Sequence, residues 1–178
     1  MPNGQKIGQG GQGAVYKHGS NRVVKVSNIS NRAIQEYEMA KVAGNLNIGP
    51  KVYGSNRNAT KFWYFMNYVN GTPLKNIKNK SCYKKHVYYV VDKLHKAGIA
   101  HLDLHEDNIM IGMNGKVYII DYGSARRTPN KSALTNNKIN NSLRNQSKGQ
   151  KWHRFYVVGP DKLLSNREEL LRIFGPRN

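Results

Sequence analysis

Two acidic loops on either side of a short hairpin narrow the folds open to this chain of 178 residues more than any other feature. The first is His101-Leu102-Asp103-Leu104-His105-Glu106-Asp107-Asn108, an H-x-D-x-x-x-x-N run whose asparagine stands five residues after the aspartate. Two short apolar runs follow, Ile109 to Ile111 and Val117 to Ile120, around the turn Asn114-Gly115. An Asn-Gly turn between such runs predicts a hairpin. The second loop, Asp121-Tyr122-Gly123, comes directly after it. Carboxylate and amide oxygens are hard donors suited to Mg²⁺. An aspartate beside them would orient a hydroxyl and accept its proton. On this reading Asp103 is the proton acceptor, and Asn108 and Asp121 are metal ligands. Taken singly, the same aspartates would serve as loop caps and turn formers.

The N-terminal part adds two more motifs. Gly8-Gln9-Gly10-Gly11-Gln12-Gly13-Ala14-Val15 is a G-x-G-x-x-G-x-V loop between predicted strands near 6–8 and 14–17. Glycines let backbone N–H groups approach phosphate oxygens with no side chain in the way. A dinucleotide fingerprint would open a helix, and this loop does not. Alone, the pattern equally suits a flexible hairpin tip. Val23-Val24-Lys25-Val26 then places a lysine inside an apolar strand over 22–26, an unusual position unless a carboxylate partners it. Glu36 is the preferred partner and Glu38 the rival, both on a helix predicted from Asn31 as N-cap to about Ala43, before Gly44. An edge strand would instead turn Lys25 to water. Further strands are expected at 50–53 and 62–66, and Tyr68 to Leu74 reads as a connector broken by Gly71 and Pro73. A helix follows from Ser81, with Val87, Val90, Val91 and Leu94 at helical spacing and Gly98 closing it.

Residues 124–150 are polar, basic and without period, and predict a long loop. Ser165-Asn166-Arg167-Glu168 is a capping box for a last helix through Phe174. Lysine and arginine outnumber acids 29 to 10, a formal charge of +19 that should attract nucleic acid, acidic proteins or anionic membrane. No apolar run approaches the ~18 residues of a membrane span, and the polar start does not resemble a signal peptide. The single cysteine, Cys82, leaves no internal disulfide framework and points to a reducing intracellular setting. Richness in Asn, Lys, Ile and Tyr fits an AT-rich genome such as that of a virus or parasite.

Four motifs in this order, on these elements, resemble the eukaryotic-type protein kinase superfamily from Lys6 to about Arg126. The resemblance implies an α+β fold of two lobes with a truncated C-terminal lobe. It divides the chain into an ATP-binding lobe over 1–66, a hinge over 67–74 and a minimal catalytic lobe with a basic activation segment over 75–178. It implies ATP and Mg²⁺ as ligands and transfer of the γ-phosphoryl group to a serine or threonine hydroxyl. Asp103, Lys25 and Glu36 would be catalytic. Gly8, Gly10, Gly11, Gly13, Val15, Val23, Lys25, Met66 and Tyr68 would hold the nucleotide, with Met66 as gatekeeper and Tyr68 beside the adenine. Asn108 and Asp121 would hold the metal, and His101 and Tyr122 would fill the family's internal apolar column.

Departures from the family pattern carry expectations of their own. Leu102 replaces the arginine that pairs with an activation-loop phosphate, so activity should not depend on that phosphate. His105 replaces the usual lysine, as in kinases similar to those of aminoglycosides and choline. No A-P-E motif follows Gly123, and the remaining chain is too short for the large helical lobe. In plan the sequence resembles the small atypical kinase of the KEOPS tRNA-modifying complex and haspin-type histone kinases, and its compactness suits a viral kinase. The expected location is then the cytoplasm or nucleus of a host cell, or a virion. Arg126, Arg127, Lys131, Lys138, Arg144, Lys148, Lys151 and Arg154 would face the acceptor. They suggest an acidic or nucleic-acid-associated protein substrate, such as chromatin, with DNA or RNA contact through the basic surface. Other readings are a KEOPS-like ATPase module associated with tRNA, a small-molecule kinase, and a binding module that blocks a host kinase.

Overall fold

Strand-forming residues dominate the first part of the chain, and they assemble into one antiparallel sheet. The computed structural model describes residues 4–127 and 169–175. Strands β1 (Lys6–Gly10), β2 (Gly13–His18), β3 (Arg22–Asn28), β4 (Val52–Arg57) and β5 (Lys61–Asn67) lie in the order β1-β2-β3-β5-β4. The strands run further into the glycine loop than the sequence suggests, because Gly10 pairs with Gly13 and the turn is confined to Gly11 and Gln12. A β-carbon at Gly13 would collide with the Val26 carbonyl oxygen, so glycine there lets β2 lie close against β3. β3 pairs with β2 on one side and β5 on the other, placing Lys25 opposite both Val15 and Tyr64. Lys25 therefore sits at the centre of the sheet and not on an edge.

Helix α1 (Asn31–Asn45) buries Ala33, Glu36, Met39, Ala40 and Ala43, a stripe at helical spacing. Its N-cap is Ser30, not Asn31. Ser30 has an extended backbone and its Oγ accepts from the Ala33 N–H at 3.1 Å, whereas Asn31 is already helical. The helix also continues past Gly44. That glycine allows close approach to the 50–52 segment, where a β-carbon would stand 2.6 Å from the Pro50 carbonyl oxygen. The left-handed residue beyond the helix is Asn47, with φ 60°.

The second part comprises β6 (Gly71–Pro73), α2 (Lys84–Lys96), β7 (Ile99–Ala100), β8 (Ile109–Gly112), β9 (Val117–Ile119) and β10 (Arg126–Arg127). The segment read as a plain connector supplies β6, which pairs with β8; β8 in turn pairs with β9 to form the expected hairpin. Lys80–Tyr83 forms a 3₁₀ turn ahead of α2, so the α-helix begins three residues after Ser81. Val87, Val90, Val91 and Leu94 are buried as their spacing predicts, and Gly98 follows with φ 74°. Arg126 and Arg127 are not loop residues: they form β10 and pair with β7. Residues 169–174 are helical, with Leu170 buried and the Phe174 ring 6.3 Å from that of Tyr88. The Ser165–Glu168 capping box, and the basic residues from Lys131 to Arg154, lie outside the described residues.

One apolar core runs through both parts, with Met39, Ile48, Leu74, Leu94, Ile99, Ile109 and Ile119 almost wholly enclosed. Among the described residues no helix is long and apolar enough to cross a membrane. The architecture is α+β, sheet-rich at the N-terminal end with few helices beyond it.

Candidate active site

Lys25 organises the site. From the middle of β3 its Nζ reaches Glu36 Oε1 on α1 at 2.5 Å and Asp121 Oδ1 at 2.9 Å. Glu36 is 1% exposed and also accepts from the Tyr64 hydroxyl at 3.0 Å. Glu38, two residues on, is exposed on the same helix. Burial opposes the charge on Lys25, but Glu36 and Asp121 more than offset it, so the ammonium titrates above its ordinary range. Burial likewise opposes the charge on Asp121, yet Lys25 and the Gly123 N–H hold it below the usual carboxylate range. Tyr64, pushed far up by burial and by Glu36, stays a neutral donor.

The two loops converge beneath this pair. Asn108 Nδ2 donates to the Asp103 carbonyl oxygen at 2.8 Å and lies 3.1 Å from His105 Nε2. An amide N–H₂ can only donate, so Nε2 of His105 is the acceptor. Asn108 Oδ1 is thereby left to face a ligand. The carboxylate of Asp103 is half exposed, 3.7 Å from His105. His101 is wholly buried and donates through Nε2 to the Ile120 carbonyl at 2.9 Å, because a carbonyl only accepts. Burial lowers its pKa, and its ring meets Tyr122 edge-on at 5.2 Å. Leu102 and Asp121 both adopt left-handed backbone, φ 65° and 58°. Such conformations cost about 1–3 kcal/mol in non-glycine residues and concentrate at functional sites.

Between the lobes lies a cavity of about 310 Å³ with an apolar and a polar end. Gly8, Gly10, Gly13, Val15, Val23, Lys25, Met66, Tyr68, Asn108 and Asp121 all line it, so most of the sequence-derived residues converge there. Gly11 does not: it sits at the turn of the glycine loop and borders a different surface hollow, because β1 and β2 pair up to Gly10 and Gly13. Asp103 and Glu36 also stand outside the lining, the first at the mouth side of Asn108, the second behind Lys25. Sequence reasoning missed Ala40, Val69, Met110 and Ile120, which complete the walls. Ile120 adjoins Asp121 and Met110 stands two residues after Asn108, but that placement alone did not distinguish cavity wall from core.

The donor set suits a magnesium nucleotide. Apolar side chains enclose one end, while an ammonium, a carboxylate and an amide oxygen meet at the other. Among the described residues no cluster of three or more His, Cys, Asp or Glu could hold a metal alone. Mg²⁺ does not require one, since it is commonly held by one or two protein oxygens together with substrate phosphates.

The fold is that of a protein kinase domain. The chain belongs to the protein kinase domain family, whose model matches residues 1–144. It is 31% identical over 153 residues to the serine/threonine-protein kinase PknD of Chlamydia trachomatis, covering 67% of this chain and 16% of that protein. It is 26% identical over 146 residues to the mouse serine/threonine-protein kinase PAK 1, covering 72% of this chain and 27% of that one. The chain thus spans well under a third of the length of these curated relatives.

Proposed function

We propose that this chain is an ATP- and Mg²⁺-dependent serine/threonine protein kinase. The observation that carries the reading is Lys25, held between Glu36 and Asp121 at the polar end of an otherwise apolar cavity. Adenine would lie between Val15 and Val23 on one side and Met110 on the other, beside Met66 and Tyr68. Lys25 would pair with the α- and β-phosphates, and the glycine loop would cover them. Asn108 Oδ1 and Asp121 would hold Mg²⁺, which neutralises charge on the phosphates.

Asp103 orients the acceptor hydroxyl and takes its proton. The hydroxyl oxygen bonds to the γ-phosphorus as the bond to the β–γ bridging oxygen breaks, and ADP leaves. The half-exposed carboxylate of Asp103 is open to a substrate side chain. The relatives that are serine/threonine kinases support a protein hydroxyl as acceptor. The formal charge of +19 supports an acidic or nucleic-acid-associated substrate, such as chromatin or tRNA. His105, where the family has lysine, favours a small-molecule acceptor as the second reading.

The test is transfer from γ-labelled ATP with Mg²⁺ to core histones, nucleosomes and casein, beside Asp103→Asn. Label on protein, reduced by about 10²–10⁴-fold in the variant, is the expected result. Intact nucleotide binding with no labelled protein would overturn the protein-kinase reading and favour the small-molecule one.

A further inference from the structure

Four residues that line the nucleotide cavity, Pro50, Asn67, Tyr68 and Val69, also line a second cleft of about 680 Å³. The catalytic reading places Tyr68 beside the adenine and assigns nothing else in this cleft. Its walls carry five asparagines, Asn45, Asn47, Asn67, Asn70 and Asn114, and no acidic residue. Three of these amides have their oxygen occupied. Asn67 Oδ1 accepts from the Tyr53 hydroxyl at 2.7 Å, Asn114 Oδ1 from the Lys116 N–H at 3.1 Å, and Asn47 Oδ1 from the Lys116 ammonium. Among the described residues none of the three side-chain N–H₂ groups donates within the protein. What they present to a ligand is donors.

The cations around the cleft have the same character. Lys51 lines it, with its ammonium 5.5 Å from the Tyr53 ring. Lys93 donates to the Leu46 carbonyl at 2.9 Å, and Lys116 lies over the Tyr118 ring at 4.9 Å. These ammoniums rest on neutral groups. The pKa of Lys116 is lowered, first by burial and then by the like charge of Lys93. A ligand for this place must therefore be anionic and rich in acceptors. Tyr68 and Met113, 42% and 82% exposed, flank the donors with flat and apolar surface, whereas the Tyr53 ring already holds the Arg22 guanidinium at 4.1 Å, which adds a further cation.

We infer that this cleft binds single-stranded nucleic acid. Phosphates meet Lys51, Lys93 and Lys116, base edges meet the amide donors, and a base stacks on the exposed Tyr68 ring. An acidic peptide would satisfy the lysines but would leave the open Tyr68 ring without a stacking partner. A duplex keeps its base faces stacked inside and offers none to the Tyr68 ring. This binding does not depend on the catalytic reading.

The test uses the full chain and labelled single strands of about a dozen nucleotides, RNA and DNA, followed by fluorescence anisotropy. Duplex and polyglutamate of similar charge serve as competitors. The variant Lys93→Gln/Lys116→Gln is compared with Lys6→Gln/Lys17→Gln, an equal charge loss on β1 and β2, at the end of the sheet furthest from β4. Asn45→Leu changes the cleft without changing charge. Thermal unfolding of each variant verifies its fold. The expected result is single-strand affinity lowered about tenfold or more in the cleft pair, with a log–log salt slope shallower by about 1.4. Asn45→Leu should cost several-fold, and the control pair less than about twofold. Equal losses in the two lysine pairs would overturn the proposal in favour of a diffuse field. Polyglutamate competing as well as the single strand would overturn it in favour of an acidic protein partner.

Discussion

At the residue scale the site rests on a buried lysine whose charge is sustained by two carboxylates. Lys25→Met leaves Glu36 buried with Tyr64 as its remaining hydrogen-bond partner among the described residues, and breaking a buried pair in this way typically costs about 3–5 kcal/mol if the carboxylate stays ionised. Turnover should fall by about 10²–10³-fold, as when one preorganised donor is lost from a transition state. Denaturant unfolding and steady-state ATP turnover check the two effects separately. Glu36→Gln should share the loss of turnover, whereas Glu38→Gln should leave it unchanged. The choice between these glutamates was legible in principle: Glu36 falls in the Ala33, Met39, Ala40, Ala43 stripe, and Glu38 does not. The acidic loops were legible because each is contiguous in sequence. Met110, Ile120 and Val69 were not, since an apolar residue on a strand reads equally as core or as cavity wall. Leu102 supplies no guanidinium for a phosphate, so phosphatase treatment of the purified protein should leave its activity unchanged. Activity abolished by that treatment would contradict the expectation.

At the element scale α1 is fixed at both ends. Ser30 caps its start, and the Lys93 ammonium holds the Leu46 carbonyl just beyond its end. Between them Arg32 donates from Nε to the Gly123 carbonyl at 3.0 Å and lies 3.4 Å from Ser124 Oγ. The helix carrying Glu36 is thus tied directly to the loop carrying Asp121. Nothing in the sequence indicated this contact, because residues 32 and 123 are joined only by the packing of α1 on the second acidic loop. Charged hydrogen bonds are worth about 1.5–3 kcal/mol. Arg32→Ala should lower kcat by about tenfold with a smaller change in KM for ATP, and Arg32→Lys should restore part of it. Unchanged kcat in Arg32→Ala would show that α1 is positioned by packing alone.

At the scale of the whole molecule, acid should weaken the fold through a buried histidine on α2. Burial lowers the pKa of His95 to about 4, against an opposing pull from Asp92 and a further push down from His101. A histidine depressed in the folded state binds its proton more readily when unfolded. The stability it confers is therefore present above the unfolded pKa of about 6.5 and is lost as pH falls toward 4. The loss amounts to about 3 kcal/mol in full. Thermal unfolding across that window should show it, with a shallower dependence in His95→Phe. The basic residues beyond Arg127 leave the greater part of the expected acceptor face outside the described residues; at its described start, β10 is the anchor.

That anchor is a single pair of rungs. Arg126 and Arg127 pair with Ala100 and Ile99, just ahead of the first acidic loop and just behind the second. The hairpin of β8 and β9 joins the same two loops at their other ends. Asp103 and Asp121 thus lie in one closed ring of backbone, stitched firmly on one side and by two residues on the other. Parting the short side loosens the ring while the Lys25–Asp121 and His101–Ile120 contacts still tie its loops, a sub-global opening whose free energy lies below that of full unfolding. The seam is the weaker closure of the ring that carries both acidic loops, and amide hydrogen exchange should be faster along β10 than along the β8–β9 rungs; equal protection on the two sides would show that the ring opens as one unit.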